Sequence, residues 1–334
     1  MFRLVLFLLI ALSSNVTITV AQDVFSEHRD IQALIDEREP TQTGSGFAFG
    51  HTSITSVQYL NNLISKNPRV KDTRTQIESF ISEAVTSFER EMVNPAQGIP
   101  INLTFHVLHR EPQERITEEQ IHSQIEALNR DFGKVDTKFD HIALDRDGFN
   151  RVAGEVHFNF DLNRSSDFPS INYAETKRDC WPLDDAIKLK EQDGVPPVDP
   201  SRTINIWVAN LGGESRGYAT MPGGPEETDG IVIDYRFVGI GGSAVAPYNE
   251  GKTLTHLIAN YLNIQSLWGE GYCKDDGVAD TPIHNSPNFG CPKYRHITTC
   301  SDKIVTEMTM NFICLLYTSP SPRDATLSRM PSSA

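Results

Sequence analysis

The chain has 334 residues, 39% of them hydrophobic and 22% charged, which is globular composition for one large domain or two modest ones. Its formal net charge is −14 and no lysine or arginine cluster stands out, which argues against nucleic acid or an anionic membrane as partner.

The N-terminus is laid out as a secretory signal peptide over residues 1–21. Arg3 supplies a positive start, Leu4 to Leu12 is almost unbroken apolar sequence, and Thr19-Val20-Ala21 puts small residues ahead of Gln22. The apolar run is too short to cross a bilayer, and no later stretch could do so. Asn102-Leu103-Thr104 and Asn163-Arg164-Ser165 match the glycosylation acceptor pattern open to a secreted chain.

Residues 22–95 form a polar leader with Gly44 and Gly46 in a loop. Ile77, Phe80, Ile81, Ala84 and Phe88 recur at helical spacing and predict a helix over Thr75–Glu91. Pro95 and Pro100 bracket the junction between this leader and the next segment. The position fits a propeptide; a simple N-terminal extension is the other reading.

From Ile101 the pattern changes. Ile101, Leu103, Phe105 and Val107 alternate with polar residues and predict a half-buried strand. Thr117 with Gln120 makes a capping box for a helix through Phe132, with Ile121, Ile125 and Leu128 on one face. Val156, Phe158, Phe160 and Leu162 predict a second strand, Ile204, Ile206 and Val208 a third, and Ile231 and Ile233 a fourth. Gly223-Gly224-Pro225 separates the last two. A second long helix runs from about Lys252 to Asn263, with Leu254, Ile258, Tyr261 and Leu262 toward the core. Asn263 is its stop, since asparagine tolerates the left-handed conformation. The result is an α/β (α+β) domain over residues 96–313: a twisted mixed sheet with two long helices.

The five cysteines are Cys180, Cys273, Cys291, Cys300 and Cys314. His284 and His296 lie near three of them, but no C-x-x-C pair occurs, so disulfides are a better reading than a zinc knot.

A helical zinc protease sets two histidines four apart, so that both imidazoles reach one metal. A glutamate beside the first polarises the bound water. Thr253-Leu-Thr-His-Leu-Ile-Ala-Asn-Tyr-Leu-Asn-Ile-Gln-Ser-Leu-Trp268 has the frame of such a helix, yet taken alone His256 is a lone helix histidine. Its surroundings say more. In order come Arg202-Thr-Ile-Asn-Ile-Trp-Val208, Gly217-Tyr-Ala-Thr-Met-Pro-Gly-Gly-Pro225, Asp229-Gly-Ile-Val232 and Lys252-Thr-Leu-Thr-His256. Next along the chain are Trp268-Gly269, Asp276-Gly-Val-Ala-Asp-Thr-Pro282, Pro287-Asn-Phe-Gly-Cys-Pro292 and Met310-Asn-Phe312. With these motifs the chain resembles the pappalysin-like branch of the metzincin metalloproteases over residues 100–313.

The resemblance implies a metzincin fold, zinc and calcium as cofactors, and an extracellular protein or peptide as partner. It leaves the oligomeric state open. It also implies a loss. His256 matches the first zinc ligand, but the general-base glutamate falls on Leu257, the second ligand on Asn260 and the third on Ser266. One imidazole cannot supply the three protein ligands of a catalytic zinc. Leucine cannot accept a proton, and general-base help alone is worth ~10²–10⁴ in rate. The expectation is a secreted, catalytically impaired binding or decoy protein. The alternative is an active zinc- and calcium-dependent endopeptidase. The resemblance further implies a Cys273–Cys300 disulfide, and calcium at Asp276, the carbonyl of Val278, Asp280 and Thr281. For that loop a solvated acidic turn fits the residues equally well.

Residues 314–334 break from the family pattern and read as a translated sequencing-library adapter, with Ile313 a methionine codon completed by its first base. A native low-complexity tail is the other reading. On the adapter reading the C-terminal subdomain is truncated and Cys314 leaves the disulfide count. Cys291 then lacks its family partner or pairs with Cys180.

Overall fold

The computed structural model describes residues 53–88, 98–133, 158–213, 215–269, 272–278, 281–286, 296–301 and 303–309, with only the backbone of 82–88. The signal peptide, the Gly44–Gly46 loop, Asp280, Cys291, the Met310 motif and the tail lie outside the described residues.

Among the described residues seven strands form one sheet. They are β1 (Ser53–Ile54), β2 (Ile99–His109), β3 (Phe158–Leu162), β4 (Ile171–Glu175), β5 (Thr203–Ala209), β6 (Ser215–Ala219) and β7 (Ile231–Asp234). The spatial order is β1-β6-β7-β5-β2, and β3 and β4 succeed one another along the far edge of β2. Every pairing is parallel except β6 with β7. The helices are α1 (Ser56–Lys66), α2 (Arg69–Phe88), α3 (Glu118–Phe132) and α4 (Lys252–Tyr261). Among the described residues no helix is long and apolar enough to cross a membrane.

The strand expected to be half-buried is buried on both faces. Ile101, Leu103, Phe105 and Val107 pack into a core with Ile121, Ile125 and Leu128 of α3 and Leu254, Leu257 and Ile258 of α4. On the opposite face Leu108, Trp181, Trp207, Tyr218 and Tyr59 make a second core. Polar residues survive on that face because they are bonded: His106 Nε2 lies 2.9 Å from Asn205 Oδ1, and Thr104 Oγ1 3.4 Å from Thr203 Oγ1. Covering on both faces, by α3 and α4 on one and by α1 with loops on the other, is what a mainly parallel sheet requires.

Two strands carry no pattern of their own. In β6 only Tyr218 and Ala219 are apolar, so no alternation marks it, and it lies between β5 and β7 in the chain together with the expected Gly223 turn. β4 is marked no better, its residues being half-buried. In the leader, α2 starts at Arg69, just after Pro68 and ahead of the expected Thr75, and α1 adds a helix beyond the one expected there.

The leader is part of the sheet. β1 lies against the outer edge of β6, Thr55 Oγ1 sits 2.8 Å from Ser215 Oγ, and the Ala219 N–H donates to Ser56 Oγ at 3.1 Å. Tyr59 of α1 donates to Asp185 Oδ1 at 2.6 Å. Asp185 in turn pairs at 3.1 Å with Lys188, which is fully buried beneath the rings of Tyr59 and Tyr218.

Helix α3 begins with half of the expected capping box: Thr117 accepts the Gln120 N–H, with Glu118 and Glu119 in the first turn, while the Gln120 amide donates to the Val238 carbonyl at 2.9 Å. It meets α4 at Gly251. That residue has φ +76, and a Cβ there would stand 2.7 Å from the Ala127 methyl, so only glycine lets the helices come this close. The Gly251 carbonyl accepts from Gln124 Nε2 at 3.0 Å.

Candidate functional site

Helix α4 carries three of the positions that the family resemblance assigns to a zinc motif, His256, Leu257 and Asn260, and all ten of its residues are buried. It ends two residues before the predicted range, with Asn263 at φ +70 beyond it, as that residue type allows. The Asn263 N–H bonds the Asn260 carbonyl and the Ile264 N–H bonds the Ala259 carbonyl, both at 2.9 Å. This pair is a Schellman closure, with the expected apolar contact between Ala259 and Ile264.

Each motif position is placed by that geometry. His256 is 3% exposed and Leu257 is fully buried. A Leu257 methyl packs so close to Gly217 on β6 that a Cβ at 217 would stand 2.7 Å from it and 2.6 Å from the Val232 carbonyl. Leu257 therefore belongs to the main core. Asn260 donates from Nδ2 to the Ile264 carbonyl at 3.0 Å, so its amide serves the helix stop. Ser266 is buried on the loop after the helix, where its carbonyl accepts the Gly269 N–H at 2.7 Å. Leu267, beside it, packs on Ala259 with Trp268 and Met308.

Polar ties hold α4 from outside. Lys252 Nζ lies 2.6 Å from Asp131 Oδ1, Thr255 Oγ1 donates to Asp131 Oδ2 at 2.7 Å, and Tyr261 donates to Asp229 Oδ2 at 2.8 Å. No local pattern marks these partners, which come from elements more than thirty residues away.

Downstream, the Cys273–Cys300 disulfide is present and Cys180 is a free, exposed thiol. The loop after Cys273 brings Asp276, Val278 and Thr281 into one turn: Asp276 Oδ1 accepts the Val278 N–H at 3.0 Å, and the Val278 carbonyl accepts the Thr281 N–H at 3.1 Å. Burial, with Asp275 adding repulsion, pushes the Asp276 carboxyl up to about 6.

A buried glutamate, Glu307, organises the rest of this lobe, and no sequence motif points to it. It accepts the Asn285 N–H at 2.7 Å and sits 2.7 Å from His296 Nδ1, while His284 Nε2 accepts the Met308 N–H at 3.0 Å. The bond to Glu307 raises the His296 pKa, and burial lowers that of His284. The two act in opposite directions. A raised histidine contributes stability that is full below its unfolded value of about 6.5 and lost as pH rises through the folded value. A lowered one contributes stability present above about 6.5 and lost as pH falls through its folded value. Urea midpoints should therefore decline as pH climbs above about 6.5, and His296→Gln should flatten that alkaline limb while leaving the acid limb in place. An unchanged alkaline limb in the variant would remove His296 as its source.

No protein-family profile matches the chain. An extracellular metalloprotease of Arthroderma gypseum is 28% identical over 209 residues, 60% of this chain and 60% of its own length. Mature mirolysin of Tannerella forsythia, solved with a cleaved peptide, is 30% identical with a TM-score of 0.61, over 67% of this chain and 86% of that one. The chain belongs to the metalloprotease family of mirolysin. A Tannerella forsythia promirolysin mutant is 28% identical with a TM-score of 0.65, and covers 80% of this chain and 86% of its own. The likeness confirms the α/β metzincin-type fold, whereas the chain spans less than two thirds of the Arthroderma gypseum protein.

Membership of a metalloprotease family implies a metal, and zinc is the one this helix frame serves. The residues present do not fit it. The motif positions offer one imidazole, an amide engaged in a helix stop, a hydroxyl and a core leucine. Among the described residues no group of three or more His, Cys, Asp or Glu side chains is placed to hold a metal ion.

Proposed function

We propose that this chain is a secreted, catalytically silent relative of the pappalysin-type proteases that acts by binding an extracellular protein or peptide. The observation that carries the reading is Leu257: where the chemistry needs a carboxylate facing a metal-bound water, a fully buried leucine packs against Gly217 as part of the main core. Asn260, busy with the Ile264 carbonyl, supports it.

In this reading residues 1–21 are a signal peptide, 22–95 a propeptide-like region, 96–313 the protease-like domain and 314–334 an adapter-derived tail. Support for the second assignment is that promirolysin covers 80% of this chain against 67% for the mature form. The outer edge of β6 accepts an extended segment, β1, so a peptide partner that displaces β1 could bind there by strand addition. Calcium remains part of the proposal at Asp276, Val278, Asp280 and Thr281, on the support of the turn that gathers three of them.

The relatives are named extracellular metalloproteases, which favours a second reading, an active protease; the family resemblance would make it a zinc- and calcium-dependent endopeptidase. Elemental analysis of the secreted chain, purified in calcium, separates the two. The proposal expects substoichiometric zinc and no chelator-sensitive peptide cleavage; about one zinc per chain with such cleavage would overturn it.

A further inference from the structure

The two glycosylation triplets lie far apart in sequence, yet the fold sets their asparagines in one open groove of about 350 Å³, which they share with Arg164, Asp199, Arg202 and Thr203. The register explains this. Asn102 on β2 stands opposite Asp161 of β3 on one side and Thr203 of β5 on the other, and the chain leaving β3 folds back so that the Asn163 N–H bonds the Leu103 carbonyl at 2.8 Å.

The two acceptors are not equivalent. Asn102 is exposed, with Pro100, at the near end of a strand whose other residues from Ile101 to Leu108 are buried. Asn163 is turned inward: its Nδ2 reaches toward Thr104 Oγ1 at 3.5 Å and its Oδ1 accepts the Ser165 N–H at 3.0 Å. A sugar on the Asn163 nitrogen would have to grow through the groove floor. One on Asn102 leaves outward, and its first ring can lie against the guanidinium, carboxylate and hydroxyl groups of the walls.

We propose that Asn102 carries an N-linked glycan, that its first sugar lies in this groove, and that Asn163 is bare in the same molecules. The inference rests on the chain being secreted. In the transfer, the Asn102 amide nitrogen bonds C1 of the N-acetylglucosamine of a lipid-linked oligosaccharide. The C1–diphosphate bond breaks, the lipid diphosphate leaves with the bonding pair, and the amide gives up one proton. Thr104, the hydroxyl residue of the triplet, is fully buried once β2 has formed, so the transfer precedes folding of the sheet, and a chain modified at Asn163 instead cannot close this groove and is lost from the folded, secreted population.

The test is expression of the full chain, with its own N-terminus, in a eukaryotic secretory host. Protein from the medium is treated with peptide-N-glycosidase in heavy-oxygen water and sites are assigned by mass spectrometry. The expected result is labelled aspartate at 102, none at 163, and an intact mass carrying one glycan. That glycan should vanish in Asn102→Gln and persist in Asn163→Gln. Secreted protein that is bare at Asn102, or modified at both positions, overturns the proposal while leaving secretion intact. Retention of the chain in the cytosol overturns the secreted reading, and the glycan with it.

Discussion

Replacing Asn260 and Ser266 with histidine, and leaving Leu257 in place, is expected to yield a chain that binds about one zinc ion and still cleaves no peptide. His256 already sits on the helix, and the two substitutions supply the second and third imidazoles at the positions the family resemblance assigns. Binding to the folded form alone should then raise the melting temperature with free zinc, by an increment growing as the logarithm of zinc concentration. In the absence of zinc the double variant should be weaker than the parent. Asn260→His removes the hydrogen bond to the Ile264 carbonyl, which is worth about 1 kcal/mol. Adding Leu257→Glu is the harder step. In the metal-free fold it puts a carboxylate at a fully buried position beside Gly217. The penalty for such a charge is on the order of several kcal/mol. The triple variant should thus be poorly folded without zinc, recovered by zinc, and alone in cleaving peptides. If the double variant takes up no zinc while its fold persists, the alignment of Asn260 and Ser266 with metal ligands is wrong.

How far the sequence can be read depends on the range over which each signal acts. The capping of α3 by Thr117, the left-handed stop at Asn263 and the apolar face of α4 are written in neighbouring residues, and the structure reproduces them. Strand β2 is legible from its alternation, but its burial exceeds what that alternation implies. The polar residues that suggest a wet face, Thr104 and His106, bond through Oγ1 and Nε2 to Thr203 and Asn205 about a hundred residues away. β6 is invisible in the sequence because its place is fixed by β7 and by the leader, not by a pattern of its own. At the site, the proposed loss of zinc donors is read from residue identity alone, at the positions that the family resemblance assigns. What occupies their place is hidden there, since the contact of Leu257 with Gly217 and the bond from Asn260 to Ile264 exist only in the folded chain.

Those contacts bear on how a protease scaffold stays folded without its metal. On the proposed reading no zinc clasps α4 to the loop beyond it, and the helix is held by its stop and by buried polar ties, chief among them those to Asp131. Its side chain is fully buried, as is nearly all of Lys252, and Thr255 and Arg130 share its oxygens. Removing one member of a buried pair leaves the other charge uncompensated. Asp131→Ala is therefore expected to destabilise the chain by about 3–5 kcal/mol, read from urea or thermal unfolding. Charge is the cause of this loss, so a second change that removes it should restore most of the stability. Asp131→Ala with Lys252→Met replaces the pair by apolar groups, which proteins tolerate at little net cost. A double variant no more stable than Asp131→Ala would show that α4 is held here by packing around Asp131 and not by its bond to Lys252.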